Sequence, residues 1–280
     1  MSNAVVASKV QQAIGILDEL DIDLWLTFVR ESDTSGEPIV PVIMGMNLTW
    51  PSALILTRQG DRIAIVGKGD HEAVESLGPW KTVVPYVQSV RQPLLDALTQ
   101  LEPKSIAINY STNDVLSDGL SHGMYLLLMD YLGGTPYAEM LRSSESIMTA
   151  LLSRKTAVEF DAIRRPCAET EQILSKAGEF AAPGRTEREI ADFMHAEAKM
   201  AGRETSWSEL NGPTVNPGAE SMFGHGIPQD RVVQTGHILH IDFGVIVDGY
   251  CGDVQRCWYV PGEGETSPPE AVQKGFHAVV

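Results

Sequence analysis

Apolar residues along Val5 to Leu20 recur at helical spacing, and Asp23-Leu-Trp-Leu-Thr-Phe-Val29 follows as a strand. Ala53 to Thr57 and Arg62 to Val66 read as strands around a Gln59-Gly60-Asp61 turn, and Asp70 to Ser76 reads as a short helix. Thr82 to Val87 then predicts a strand, Gln92 to Leu101 a helix and Ser105 to Asn109 a strand. A helix from Gly119 to Leu132 stops at Gly133-Gly134. This alternation predicts an independent α/β domain over residues 1–140. Tyr137 to Ser153, rich in serine and mixed charge, reads as the junction to a second domain over 150–280.

Thr156-Ala-Val-Glu159 and Thr186-Glu-Arg-Glu189 both have capping-box spacing, in which threonine oxygen and glutamate side chain satisfy free amides at a helix start. Pro166 falls inside the first of these helices and should kink or split it, because proline lacks the N–H and crowds the preceding turn.

The strongest local signal is Asp248-Gly249 between two β-rich runs, which predicts a two-residue type I′ hairpin loop. With those residues as the loop, Val247 faces Tyr250, Gly244 faces Asp253 and Asp242 faces Gln255. Alternation then puts His240, Asp242, Gly244 and Ile246 on one face with Cys251, Asp253, Gln255 and Cys257. Ile241, Phe243, Val245, Val247, Tyr250 and Val254 form an oily opposite face, interrupted by Arg256. Asp242 and Asp253 become diagonal neighbours, roughly 7–8 Å apart along the backbone. Two such carboxylates repel, so one takes up a proton or a cation supplies the missing charge. The alternative is the solvated face of an ordinary amphipathic hairpin. A slip or a bulge at Gly252 would also move Asp253 to the other side.

The charge balance, 21 Lys+Arg against 37 Asp+Glu for a net −16, disfavours nucleic acid and anionic membrane as partners. No run approaches the roughly 18 apolar residues that span a bilayer, and the first residues lack a basic, then apolar, leader; a cytoplasmic protein is expected. Of the three cysteines, Cys251 and Cys257 lie six strand positions apart, too far for a mutual disulfide, and all three are expected to be reduced.

The run Ile241-Asp-Phe-Gly244, followed by Gly249-Tyr-Cys-Gly-Asp-Val-Gln-Arg256, resembles the metal-ligand hairpin of the pita-bread metallopeptidases. That family holds Xaa-Pro aminopeptidases, prolidases, methionine aminopeptidases and the metal-free creatinases. Leu152 to Arg165 looks like its first catalytic-domain helix, Gly184 to Ile190 like its second helix start, and Phe223 to Arg231 like the loop that carries its histidine. The resemblance, strong over about residues 140–280, implies an α+β protein: a creatinase-like α/β N-terminal domain, then the first half of a pita-bread catalytic domain.

By this resemblance Asp242 and Asp253 match two aspartates that ligate a pair of divalent metals, manganese first, with cobalt, iron or zinc as alternatives. His225 matches the histidine that contacts substrate or shuttles a proton. The remaining histidine and two glutamate ligands would follow Val280, where an unclosed helix beginning at Ser267 suggests a longer protein; residues 1–280 alone are then expected to be inactive. A threonine is usual two positions after the second aspartate. Here Gln255 stands there, placed to donate a hydrogen bond to Asp242.

The expected activity is metal-dependent hydrolysis of Xaa-Pro peptides, by an aminopeptidase or a dipeptidase acting on short peptides, in a homodimer. Metal-free creatinase-like hydrolysis, small-molecule lyase chemistry and non-catalytic peptide binding are the alternatives. His237 and His240 match no family ligand and read as structural or substrate-lining. His195 reads as a helix-surface or packing residue, and Trp207 as a core aromatic in preference to a pocket-lining one.

Overall fold

The computed structural model describes residues 1–221 and 226–280, which form two compact units, Met1–Glu159 and Phe160–Val280. Among the described residues no helix is long and apolar enough to cross a membrane.

The first unit is built on a six-stranded mixed sheet. Its strands are β1 (Leu24–Val29), β2 (Ser52–Thr57), β3 (Arg62–Gly67), β4 (Thr82–Tyr86), β5 (Ile106–Ile108) and β6 (Leu141–Ser143), in the order β4-β3-β2-β1-β5-β6. β1 and β2 are buried along their whole length, as expected for strands covered on both faces. Alternation divides their side chains. Trp25, Leu54, Leu56 and Ala107 enter a core with helices Asn3–Glu19 and Glu145–Ser153, while Leu24, Leu26, Phe28, Ile55 and Ile106 enter a second core with helices Arg91–Leu101 and His122–Leu132.

The expected junction at Tyr137 to Ser153 is a structured part of this unit. It holds β6 at the sheet edge and helix Glu145–Ser153, whose Ile147, Met148 and Leu151 are fully buried. Those apolar positions share one helical face, so burial outweighs the polar composition between them. Lys9, also buried, ties the first helix to the C-terminal end of helix Glu145–Ser153. Its ammonium donates to the carbonyls of Leu151 and Arg154 and lies 3.1 Å from the carboxylate of Glu159. Burial holds the Lys9 ammonium below its ordinary pKa, and the hydrogen bond to Glu159 opposes that shift.

In the second unit helices Ala157–Phe180 and Glu187–Met200 cover the apolar side of two small sheets. Both capping boxes form: Thr156 N donates to Glu159 at 2.7 Å, and Thr186 and Glu189 exchange their reciprocal bonds. The 24-residue helix Ala157–Phe180 continues through Pro166 without splitting. The strands are β7 (Glu204–Thr205), β8 (Thr214–Pro217), β9 (Ile238–Phe243), β10 (Val245–Val247), β11 (Tyr250–Cys251) and β12 (Val254–Tyr259), paired as β11-β10-β7 and β12-β9-β8. Gly178 lets the helix approach the sheet, since a Cβ there would lie 2.7 Å from the indole of Trp258. The last helix, expected to be capped by Ser267, begins later, at Glu270.

Candidate functional site

The hairpin forms in the expected register. Asp248 and Gly249 adopt φ of 52° and 81°, the two positive angles of a type I′ loop, and Val247 pairs with Tyr250. Beyond a break at Gly244, Phe243 pairs with Val254 and Asp242 with Gln255. The pairing count is the same on both sides of the break, and Gly252 N donates to the Val245 carbonyl at 2.8 Å. No bulge is inserted between these pairs, and Asp253 itself lies between β11 and β12.

Glycine is required at the break. A Cβ on Gly244 would lie 1.8 Å from the Gly252 oxygen, and one on Gly252 would lie 2.4 Å from Thr170 Oγ1 and 2.8 Å from the Pro166 carbonyl oxygen. The hairpin thus crosses tight against the Pro166 turn of the helix. Thr170 Oγ1 accepts from Val245 N at 3.2 Å, and Ser206 Oγ donates to the Gly252 oxygen at 2.8 Å.

A third strand, β8, completes the polar face, and the sequence reading missed it. Thr214 lies opposite Asp242, and Asn216 lies opposite His240. The signal was short, a polar-apolar-polar alternation at Thr214, Val215 and Asn216 enclosed by Pro213 and Pro217, and it read as loop. Val215, Leu239, Ile241 and Phe243 point the other way, into the core.

Asp242, on the polar face, is half-buried, and Asp253, between β11 and β12, is exposed. Gln255 Nε2 donates to Asp242 Oδ2 at 3.2 Å, while Gln255 Oε1 lies 3.0 Å from His240 Nε2. His240 Nδ1 lies 3.3 Å from Asn216 Nδ2. Asn216, His240 and Cys257 also line a cleft of about 830 Å³ with His237, Arg231 and Glu220. His237 closes a turn by accepting from Gln234 N at 3.3 Å, so it serves the fold as well as the cleft wall.

Glu187, at the start of its helix, holds the far rim. Its buried carboxylate accepts from Gln229 N at 2.7 Å and pairs with Arg231 at 3.2 Å. His225, expected beside the aspartates, lies outside the described residues. The three cysteines are free, with Cys251 and Cys257 exposed.

Two carboxylates, one of them oriented by an amide, are donors suited in kind to a hard divalent cation. Among the described residues no three His, Cys, Asp or Glu side chains gather as a metal cluster. Asp242 and Asp253 could therefore hold an ion only with further ligands.

Comparison with known proteins gives the same fold and the same half of the chain. Residues 161–280 match the model of metallopeptidase family M24. A methionine aminopeptidase from Chlamydia muridarum is 29% identical over 124 residues, 41% of this chain and 43% of that protein. The chain thus spans less than half the length of this relative. Among solved structures, an Xaa-Pro dipeptidase from Bacillus anthracis superposes with a TM-score of 0.68 at 17% identity, covering 98% of this chain and 69% of that one. The prolidase from Pyrococcus horikoshii gives 0.64 at 21% identity, covering 97% and 69%. Residues 161–280 are thus similar to metallopeptidase family M24, and the chain shares the fold of these solved structures over nearly its whole length.

Proposed function

We propose that the protein is a divalent-metal hydrolase that cleaves short Xaa-Pro peptides, as an aminopeptidase or a dipeptidase, with Asp242 and Asp253 supplying two metal-binding carboxylates. The observation that supports this reading is the hairpin register, which faces Asp242 with Gln255, two residues after Asp253. The likeness to Xaa-Pro dipeptidase and prolidase structures extends over 97–98% of the chain, N-terminal unit included. By sequence, methionine aminopeptidases and Xaa-Pro aminopeptidases match comparable shares of the chain, 41% and 45%, so the choice of Xaa-Pro peptides in this proposal rests on the structural likeness.

Bound divalent ions, manganese in this proposal, supply Lewis-acid polarisation of the scissile carbonyl and a water of lowered pKa. The chain's own residues do the rest. Asp242 and Asp253 hold the charge in place, Gln255 fixes the Asp242 carboxylate, and the cleft lined by Asn216, His237 and His240 receives the peptide. His225 is assigned the contact with the substrate or its proton.

Metal analysis and peptide hydrolysis by the native protein test the reading. The expected result is bound divalent metal, preferably Mn²⁺, with chelator-sensitive release of the residue before proline. Cleavage of methionyl peptides with Xaa-Pro peptides untouched would move the protein to the other specificity. Activity indifferent to metal and chelator would remove the metallopeptidase reading.

A further inference from the structure

Two rows of the polar face interlock. In one, Thr214, Asp242 and Gln255 lie side by side; in the next, Asn216, His240 and Cys257. Hydrogen bonds link the rows diagonally, from Asn216 to His240 at 3.3 Å, from His240 to Gln255 at 3.0 Å, and from Gln255 to Asp242 at 3.2 Å.

The direction of each bond follows from its chemistry. An amide oxygen only accepts, so with Gln255 Oε1 facing His240 the imidazole carries its proton on Nε2. Nδ1 then presents a lone pair, which suits the Asn216 amide as donor. The opposite end of Gln255 is an NH₂, which gives its hydrogen to Asp242 Oδ2. Every donor in the series points toward the carboxylate.

A neutral donor orients an anion without cancelling it. A lysine or arginine in place of Gln255 would compete with a bound cation for the charge of Asp242, and an apolar residue would leave the carboxylate to rotate. Gln255 is an exposed, flexible side chain, and ordering such a chain costs rotamer entropy. His240, a two-torsion ring on the adjacent strand, limits that freedom by gripping the other end of the amide.

We infer that Gln255 is a positioning residue for Asp242, held in its working rotamer by His240 and Asn216, and that this series sets cation affinity at the hairpin. The inference rests on the reading of Asp242 as a cation ligand and adds residues that steer it. His240 also lines the cleft, so a peptide seated there touches the same series that aims the carboxylate.

Titration of the native protein with Mn²⁺ alone, followed by calorimetry, tests it. Gln255→Leu should weaken Mn²⁺ binding about ten- to a hundredfold, the usual loss when a group orienting a ligand is removed. His240→Leu should weaken it less, and the double variant no more than Gln255→Leu alone, because both changes break one series. His240→Gln, whose amide can take the place of Nε2–H, should restore most of the affinity.

A second readout needs no metal. In ¹⁵N-histidine-labelled protein, His240 should show the neutral Nε2–H tautomer, and Gln255→Leu should mix the two tautomers. Additive losses, failure of His240→Gln to rescue, or an Nδ1–H tautomer in the wild-type protein would each overturn the inference. Unchanged Mn²⁺ affinity in Gln255→Leu would overturn it while leaving the metal reading intact, whereas no Mn²⁺ uptake by the wild-type protein would overturn both.

Discussion

Glu37 makes the N-terminal unit lose stability as pH rises from the acid range to neutrality. Its carboxyl is 2% exposed and accepts from Asn109 Nδ2 at 3.1 Å, while Oε2 has no hydrogen-bond partner among the described residues. Gly119 packs so close that a Cβ there would sit 2.1 Å from Oε2. Asn109 is committed elsewhere too, accepting from Trp25 Nε1 at 2.6 Å and from Ser144 at 2.8 Å. Burial pushes the Glu37 pKa from 4.5 to about 7, more than the Asn109 bond can offset.

The folded state therefore keeps this proton at pH values where the unfolded chain has lost it, and stability falls as pH rises through that window. The contribution is fully present below about pH 4.5 and lost once pH passes about 7. At about 1.4 kcal/mol per pKa unit, the loss amounts to about 3 kcal/mol. Glu37→Gln keeps an oxygen for Asn109 and cannot ionise. It should match the wild type near pH 4.5 and exceed it by up to about 3 kcal/mol at pH 8. Urea unfolding at the two pH values, followed by tryptophan fluorescence, measures the difference. A ¹³C-carboxyl titration of Glu37 in the folded protein should turn near pH 7. A wild-type minus Glu37→Gln difference that stays constant with pH would refute the reasoning.

Gly178→Ala should destabilise by about 1–3 kcal/mol in thermal melts, although alanine is the better helix former, because its methyl would meet the Trp258 indole at 2.7 Å. Glu187→Ala should cost about 1–3 kcal/mol by leaving the Gln229 amide and Arg231 without their buried acceptor, and should raise hydrogen exchange across 226–234 first. Asp248→Ala should change unfolding by less than about 1 kcal/mol through its ion pair, since both Arg165 and Asp248 are exposed; a larger loss would implicate the strained turn instead.

What the sequence revealed depended on how local its physics was. The Asp248-Gly249 turn settles its own geometry, and counting outward from it gives the Asp242–Gln255 pair and so the amide contact between them. The two capping boxes were readable for the same reason, since both partners lie within one turn of helix. β8 was hidden because prolines bracket it and its pairing with β9 is decided more than 20 residues away. Helix Glu145–Ser153 was read as junction because its three buried apolar residues are diluted by serine, threonine and glutamate. Glu37 carries no local mark at all; its character comes from Asn109 and Gly119, which only the folded sheet brings beside it.

The crossing at Gly244 and Gly252 has a consequence for how this ribbon tolerates change in length. Between Val254 and Tyr259 each residue alternates between Trp258 on its buried layer and Gln255 and Cys257 on its wet one. Adding or deleting a single residue there would invert the remainder of the strand, turning the indole out to water and drawing the amide inward. The same change at the loop tip, beyond Val247 and Tyr250, need alter only the size of the turn. Homologous chains should thus vary in length at Asp248-Gly249 and keep a fixed spacing from Gly252 onward.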